Sequence, residues 1–160
     1  MARKPPAAVG LLAAVVGGYM YWTSDERRIA RLLDDVVDAV SQGEGESGVA
    51  GLAEIASLTP HLAPEVEIDV SPPPSAVLRG AQDVVSMVGR LRAVFPVVQL
   101  TLPDPRISVA DDDTAQVTGA ATMLMRDKAG AEAVESRQVV ISLQERDGRW
   151  VIVYVSTSST

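Results

Sequence analysis

His61 is the only imidazole in the chain and lies between Pro60 and Pro64. A histidine acts as a general base only within hydrogen-bond reach of the proton it moves, and no nucleophile motif stands beside this one. Its place in a loop leading from a helix to a strand reads as a surface or capping position. Asp69 is a second candidate base: turned toward a pocket, its carboxyl would be desolvated and its pKa raised. The alternation around it argues the other way. With Val66, Ile68 and Val70 facing inward, Asp69 faces out with Glu65 and Glu67. Tyr154, the only tyrosine beyond residue 22, is the third acid/base candidate.

Asp111-Asp112-Asp113 has the charge for calcium but lacks the glycine, the spaced oxygen ligands and the later glutamate of an EF-hand loop, so it reads as a solvated turn. Arg79 beside Gly80, and Arg90 with Arg92 on a helix, suit an anion; their default reading is solvation. There is no Gly-rich phosphate loop, nucleophile elbow or His-Glu metal spacing. No cysteine is present either, which removes thiolate catalysis, disulfides and Cys-ligated metals. The expectation is therefore no metal and no cofactor.

The elements that must position these groups come from 160 residues, enough for one domain with a single core. Acidic residues outnumber basic ones by 21 to 14, and the basic ones are scattered, which argues against a nucleic-acid footprint. Ala7 to Trp22 is a run of 16 residues without a charge, behind Arg3 and Lys4. At about 1.5 Å per residue a helix of that length spans about 24 Å, a little short of a hydrocarbon core of about 30 Å. Tyr19, Tyr21 and Trp22 gather at one end, where amphipathic rings favour the headgroup region.

The run fits a signal peptide in length and flanking charge, yet its bulky exit residues suit cleavage poorly, which favours an uncleaved anchor. The expected organisation is a basic tail and transmembrane helix over 1–22 and a folded domain over 23–160. Arg3 and Lys4 place the tail in the cytoplasm and the domain outside it, on a single-pass inner-membrane protein. Removing those two from the 14 basic residues leaves 12 against 21 acidic, a domain charge of −9 that anionic lipid would repel. The anchor alone must then hold the domain to the bilayer.

Ile29, Leu32, Leu33, Val36, Val37 and Val40 recur at spacings of three and four, the apolar face of a helix whose other face carries Asp34, Asp35 and Asp38. Thr23 and Glu26 fit a capping box, but no Gly or Pro separates this helix from the anchor, so the two can be one. A shorter helix is expected over Val49–Leu58, and a third from Ala81 until Pro96 ends it. A strand ends at Val70 before three prolines, and Ala76–Leu78 closes a hairpin. The rest reads as a four-stranded antiparallel meander: Val97–Leu102 with Ile107–Val109, then Thr114–Arg126, Glu135–Arg146 and Arg149–Thr157. Asp147-Gly148 is its strongest turn, a dipeptide suited to positive φ. Helices first and consecutive strands after make the class α+β.

This order resembles the NTF2-like superfamily, the cone fold also called cystatin-like or SnoaL-like, over residues 25–160. The resemblance rests on the opening helix, on Leu58-Thr59-Pro60-His61-Leu62-Ala63-Pro64-Glu65-Val66 entering the first strand, on Leu78-Arg79-Gly80, and on the closing Asp147-Gly148-Arg149-Trp150-Val151-Ile152. It implies three helices packed on a curved, mostly antiparallel sheet, an internal pocket, and dimerisation through the sheet, with the transmembrane helix read above preceding this domain. Val117, Gly119, Ala121, Met123, Ile141 and Trp150 are the expected pocket residues. Gly119 and Ala121 could equally mark a bend.

The family's ketosteroid isomerases and polyketide cyclases use pocket carboxylates and tyrosines; this chain offers only Tyr154, and its first helix offers none. Membrane-tethered members that build type IV secretion systems act as scaffolds. The expected function is therefore a non-catalytic interaction or assembly module, as a homodimer or with a membrane-complex partner. The alternative is a carrier of a small apolar ligand, or an isomerase-like enzyme with the cone pocket as its active site. A filled cone favours the module, and an open cavity with a buried carboxylate favours the enzyme.

Overall fold

The computed structural model describes residues 6–43, 45, 49–71 and 75–159; within the helices, the side chains of 6–13, 16–24, 49 and 50 fall outside the description. The described residues form helices α1 (Pro6–Val40), α2 (Val49–Ala56) and α3 (Ala81–Val94), a 3₁₀ turn (Thr59–His61) and seven strands. The strands are β1 (Leu62–Val70), β2 (Ala76–Arg79), β3 (Val97–Thr101), β4 (Arg106–Val109), β5 (Thr114–Arg126), β6 (Glu132–Arg146) and β7 (Arg149–Ser159). They make one curved, unclosed sheet in the order β2-β1-β7-β6-β5-β3, with β4 also paired to β5.

Helix α1 runs unbroken through Thr23, so the capping box there starts nothing. Among the described residues, no helix is long and apolar enough to cross a membrane. The expected span over 7–22 falls almost wholly on side chains outside the description. Past Asp25 the amphipathic pattern is realised: Ile29, Leu32, Leu33, Ala39 and Val40 are buried, while Asp34, Asp35 and Asp38 are exposed.

The expected meander gains one strand. Pro103-Asp104-Pro105 removes two ladder donors and Asp104 takes φ 45°, so the chain leaves the sheet and returns as β4. Both pieces pair with β5: β3 against Thr122–Arg126 and β4 against Ala115–Thr118. Arg146 and Arg149 pair across Asp147 and Gly148, whose φ values of 52° and 77° are those of a type I′ turn. The remaining surprise is non-local. β1 lies parallel to β7, so the first strand of the domain is zipped to the last. A bulge at Val153 offsets the β6–β7 register, since Ser142 faces Tyr154 and Leu143 faces Ile152.

Candidate functional site

Two helices roof the concave side of the sheet and each turns one stripe toward it. On α1 the stripe is Leu33, Val36, Val37 and Val40; on α3 it is Val84, Met87, Val88 and Leu91. Both follow the i, i+3, i+4, i+7 spacing of one helical face. Period two supplies the opposite wall: Ala121 and Met123 from β5, Val139 and Ile141 from β6, and Ile68, Leu78 and Leu100 from β1, β2 and β3. Ile152 and Val155 reach the same wall from either side of the β7 bulge.

Between roof and sheet these residues leave a cavity of about 310 Å³. Every side chain lining it, among the described residues, is aliphatic or methionine. A void of this kind holds no partner for water and accepts apolar molecules. None of these described lining residues gives or takes a proton.

The expected pocket set divides. Ala121, Met123 and Ile141 line the cavity. Val117 is fully buried on the same strand but packs into the core away from the space. Gly119 sits where β5 changes partner from β4 to β3, and a Cβ there would lie 3.0 Å from Leu102 Cδ1 and 3.6 Å from Pro105 Cα. Its smallness admits the β3–β4 connection and leaves no ligand space. Trp150 is buried outside the cavity, against a cleft formed with α1 and the 3₁₀ turn.

None of the acid/base candidates reaches the cavity. Asp69 pairs with Val77 and Ser156 beside Ile68, which does line it. Tyr154 pairs with Glu67 and Ser142, and the bulge hands the inward positions to Ile152 and Val155. His61 is half-buried, with Nε2 3.7 Å from Asp35 Oδ2, at the outer cleft. The acidic turn is closed by its own chain: Thr114 Oγ1 donates to Asp112, and Glu145 N donates to the Asp113 carbonyl at 2.8 Å. Among the described residues no group of three or more His, Cys, Asp or Glu side chains could hold a metal ion.

Arg92 is the correction to the solvated-arginine reading. Ala81, Val84, Val88 and Arg92 form the buried stripe of α3, and only 2 % of the Arg92 side chain is exposed. Its Nε donates to Gln42 Oε1 at 3.0 Å, Nη1 to the Ala39 carbonyl at 2.9 Å, and Nη2 to Glu54 Oε2 at 3.0 Å. Gln42 Nε2 in turn donates to the carbonyls of Arg92, Phe95 and Pro96 at 3.0–3.2 Å, covering the end of α3. The spacing from Val88 was the signal that placed Arg92 inside. By contrast Arg79 is exposed and pairs with Glu67.

A domain with this fold and an internal apolar cavity is of the NTF2-like class. The chain belongs to the SnoaL-like domain family, whose model matches residues 23–156. No curated protein matches it. Similar solved structures include a type 2 hexachlorocyclohexane dehydrochlorinase (12 % identity, TM-score 0.69, covering 85 % of each chain). An NTF2-like superfamily protein from Salmonella enterica has 15 % identity and a TM-score of 0.67, over 86 % of this chain and 92 % of that one. The association domain of C. elegans CaMKII has 17 % identity and a TM-score of 0.61, over 86 % and 97 %. An enzyme and an association domain share the fold, so the fold does not choose between these functions.

Proposed function

We propose that this chain is a SnoaL-like binding domain that takes a small apolar molecule into the cone cavity and does no chemistry on it, tethered to a membrane through residues 7–22. The observation that carries the binding reading is the cavity lining: about 310 Å³ walled by aliphatic and methionine side chains. That volume lies at the lower end of ligand pockets, and burial of apolar surface contributes about 25 cal/mol per Å². General acid–base catalysis needs a titratable group within hydrogen-bond reach of the reacting atom, and His61, Asp69 and Tyr154 all lie elsewhere. An open cavity also favours a ligand carrier over a scaffold with a filled cone.

The tether rests on the uncharged run from Ala7 to Trp22 and on the continuity of α1 across it. Arg3 and Lys4 orient the domain to the extracytoplasmic side.

The test uses the full chain in nanodiscs with ¹³C-methyl methionine. Met87 and Met123 line the cavity, whereas Met125 lies on β5 outside it and serves as an internal control. Toluene should shift the Met87 and Met123 signals saturably and leave Met125 in place. No saturable shift, or turnover of a ketone or halogenated substrate that is lost in Asp69→Asn or His61→Ala, overturns the reading. Protease added to spheroplasts should degrade the domain; protection of residues 23–160 would reverse the topology.

A further inference from the structure

We propose that the outer cleft between α1, the 3₁₀ turn and the start of β7 binds a phosphate group. The cleft has about 210 Å³, and Arg28, Arg31 and Arg149 line it with His61, against one carboxylate, Asp35. In a chain of net charge −7 this is a local reversal of sign.

The three guanidiniums are not equivalent. Arg28 is committed: it donates to Asp25 Oδ1 at 3.3 Å and to the Gly148 carbonyl, and Glu145 Oε2 lies 3.6 Å away. Those contacts fix the Asp147-Gly148 hairpin against α1 and bring Arg149 to the cleft. The side chains of Arg31 and Arg149 have no hydrogen bond or ion pair among the described residues. One comes from a helix and the other from a strand, so two free planar forks converge from different directions. His61 is held by Asp35 at 3.7 Å.

Trp150 supplies an independent observation. It lines the same cleft, and its Nε1 is the one buried side-chain polar atom without a partner among the described residues. Indole N–H can only donate, and leaving a buried donor unmade is unfavourable. The two uncommitted guanidiniums call for a ligand that only accepts, and Trp150, whose Nε1 is itself buried, reports on the cleft as part of its wall. A tetrahedral oxyanion offers acceptors on several sides, and Arg forks suit phosphate in particular. The repulsion from Asp35 falls on the side that His61 already occupies.

The phosphate can come from a soluble molecule or from a lipid headgroup; only the lipid source rests on the tether proposed above. The full chain carries two tryptophans, so Trp22→Phe leaves Trp150 as sole reporter. In phosphatidylcholine nanodiscs, inorganic phosphate should change Trp150 fluorescence saturably, and chloride at equal ionic strength should not. Arg31→Gln with Arg149→Gln should raise the midpoint at least about tenfold, with an unchanged melting temperature showing that the fold is intact. In phosphatidylglycerol nanodiscs a spectrum already shifted before titration assigns the site to lipid, and an unchanged titration assigns it to soluble phosphate. No saturable response in the phosphatidylcholine discs overturns the proposal, as does an identical response to chloride or in the double variant.

Discussion

Two neighbouring interior regions under the helices are filled in opposite ways. The cone cavity has space and, among the described residues, no polar wall: about 310 Å³ lined by apolar side chains. The Arg92 node, between α1, α2 and α3 and beside an outer cleft of about 300 Å³, has polarity that is fully paired: each guanidinium nitrogen meets an acceptor, and Gln42 caps three carbonyls. The difference teaches where charge is tolerated. A buried ion is kept only where its hydrogen bonds are complete, and the volume left over for a ligand is dry. Substitutions in the node should therefore act on stability, and substitutions in the cavity on volume and affinity.

The largest effect is expected from Arg92→Met, which strands Gln42 Oε1 and the Ala39 carbonyl inside the protein. Each buried acceptor left unmet costs about 1–3 kcal/mol, so the loss should be about 3 kcal/mol, read from urea denaturation at constant slope. A loss under about 1 kcal/mol would show that the node is only filler. Gln42→Leu comes next, at about 2 kcal/mol, because Arg92 loses one acceptor and the end of α3 loses its shared donor. Loss equal to that of Arg92→Met would mean that the amide, and not the charge, holds the helices together.

A pair of leucine substitutions on one strand sharpens the contrast between space and packing. Ala121→Leu projects into the cavity, where it should leave stability unchanged or raise it by up to about 1 kcal/mol and weaken toluene binding about tenfold. Val117→Leu adds one methylene four residues away in a filled site and should cost about 1–3 kcal/mol with little effect on binding. Equal destabilisation by both would mean that the cavity collapses in solution.

Much of this geometry was legible where one element carries its own signal. Asp147-Gly148 announced a turn because both residues need positive φ, and Thr114–Arg126 ran for its expected length because alternation persists along it. Ala121, Met123 and Ile141 were legible as wall residues for the same reason. What was not legible depends on partners distant in sequence. Nothing in Leu62–Val70 specifies a parallel partner over eighty residues away, and nothing around Trp150 shows that α1 covers it. Gly119 was ambiguous because smallness serves a ligand and a crossing chain alike, and only the position of Leu102 and Pro105 decides. Arg92 was readable from its spacing to Val88, but an arginine on an apolar stripe is accepted inside only when Gln42 and Glu54 arrive from elsewhere.

The smallest effect separates a buried ion from an exposed one. Arg146 on β6 hydrogen-bonds the exposed Glu65 of β1, and that bond, before any other cause, holds the Glu65 carboxyl below its ordinary value of 4.5. A carboxyl whose pKa is lowered by folding stabilises the native state above its unfolded pKa, and that contribution disappears as pH falls through the folded value. Wild type should thus melt slightly above Glu65→Gln at neutral pH, and the two curves should converge on acidification below about pH 4.5. The gap should also narrow in about 1 M salt, because solvent and counterions reach an exposed pair. Arg92→Met, tested in parallel, should keep most of its deficit in salt, since two of its three partners, Gln42 and the Ala39 carbonyl, are buried and only Glu54 is exposed. A Glu65→Gln gap that neither salt nor acid changes would assign the difference to packing of the side-chain stem, and the distinction between the two arginines would then rest on burial alone.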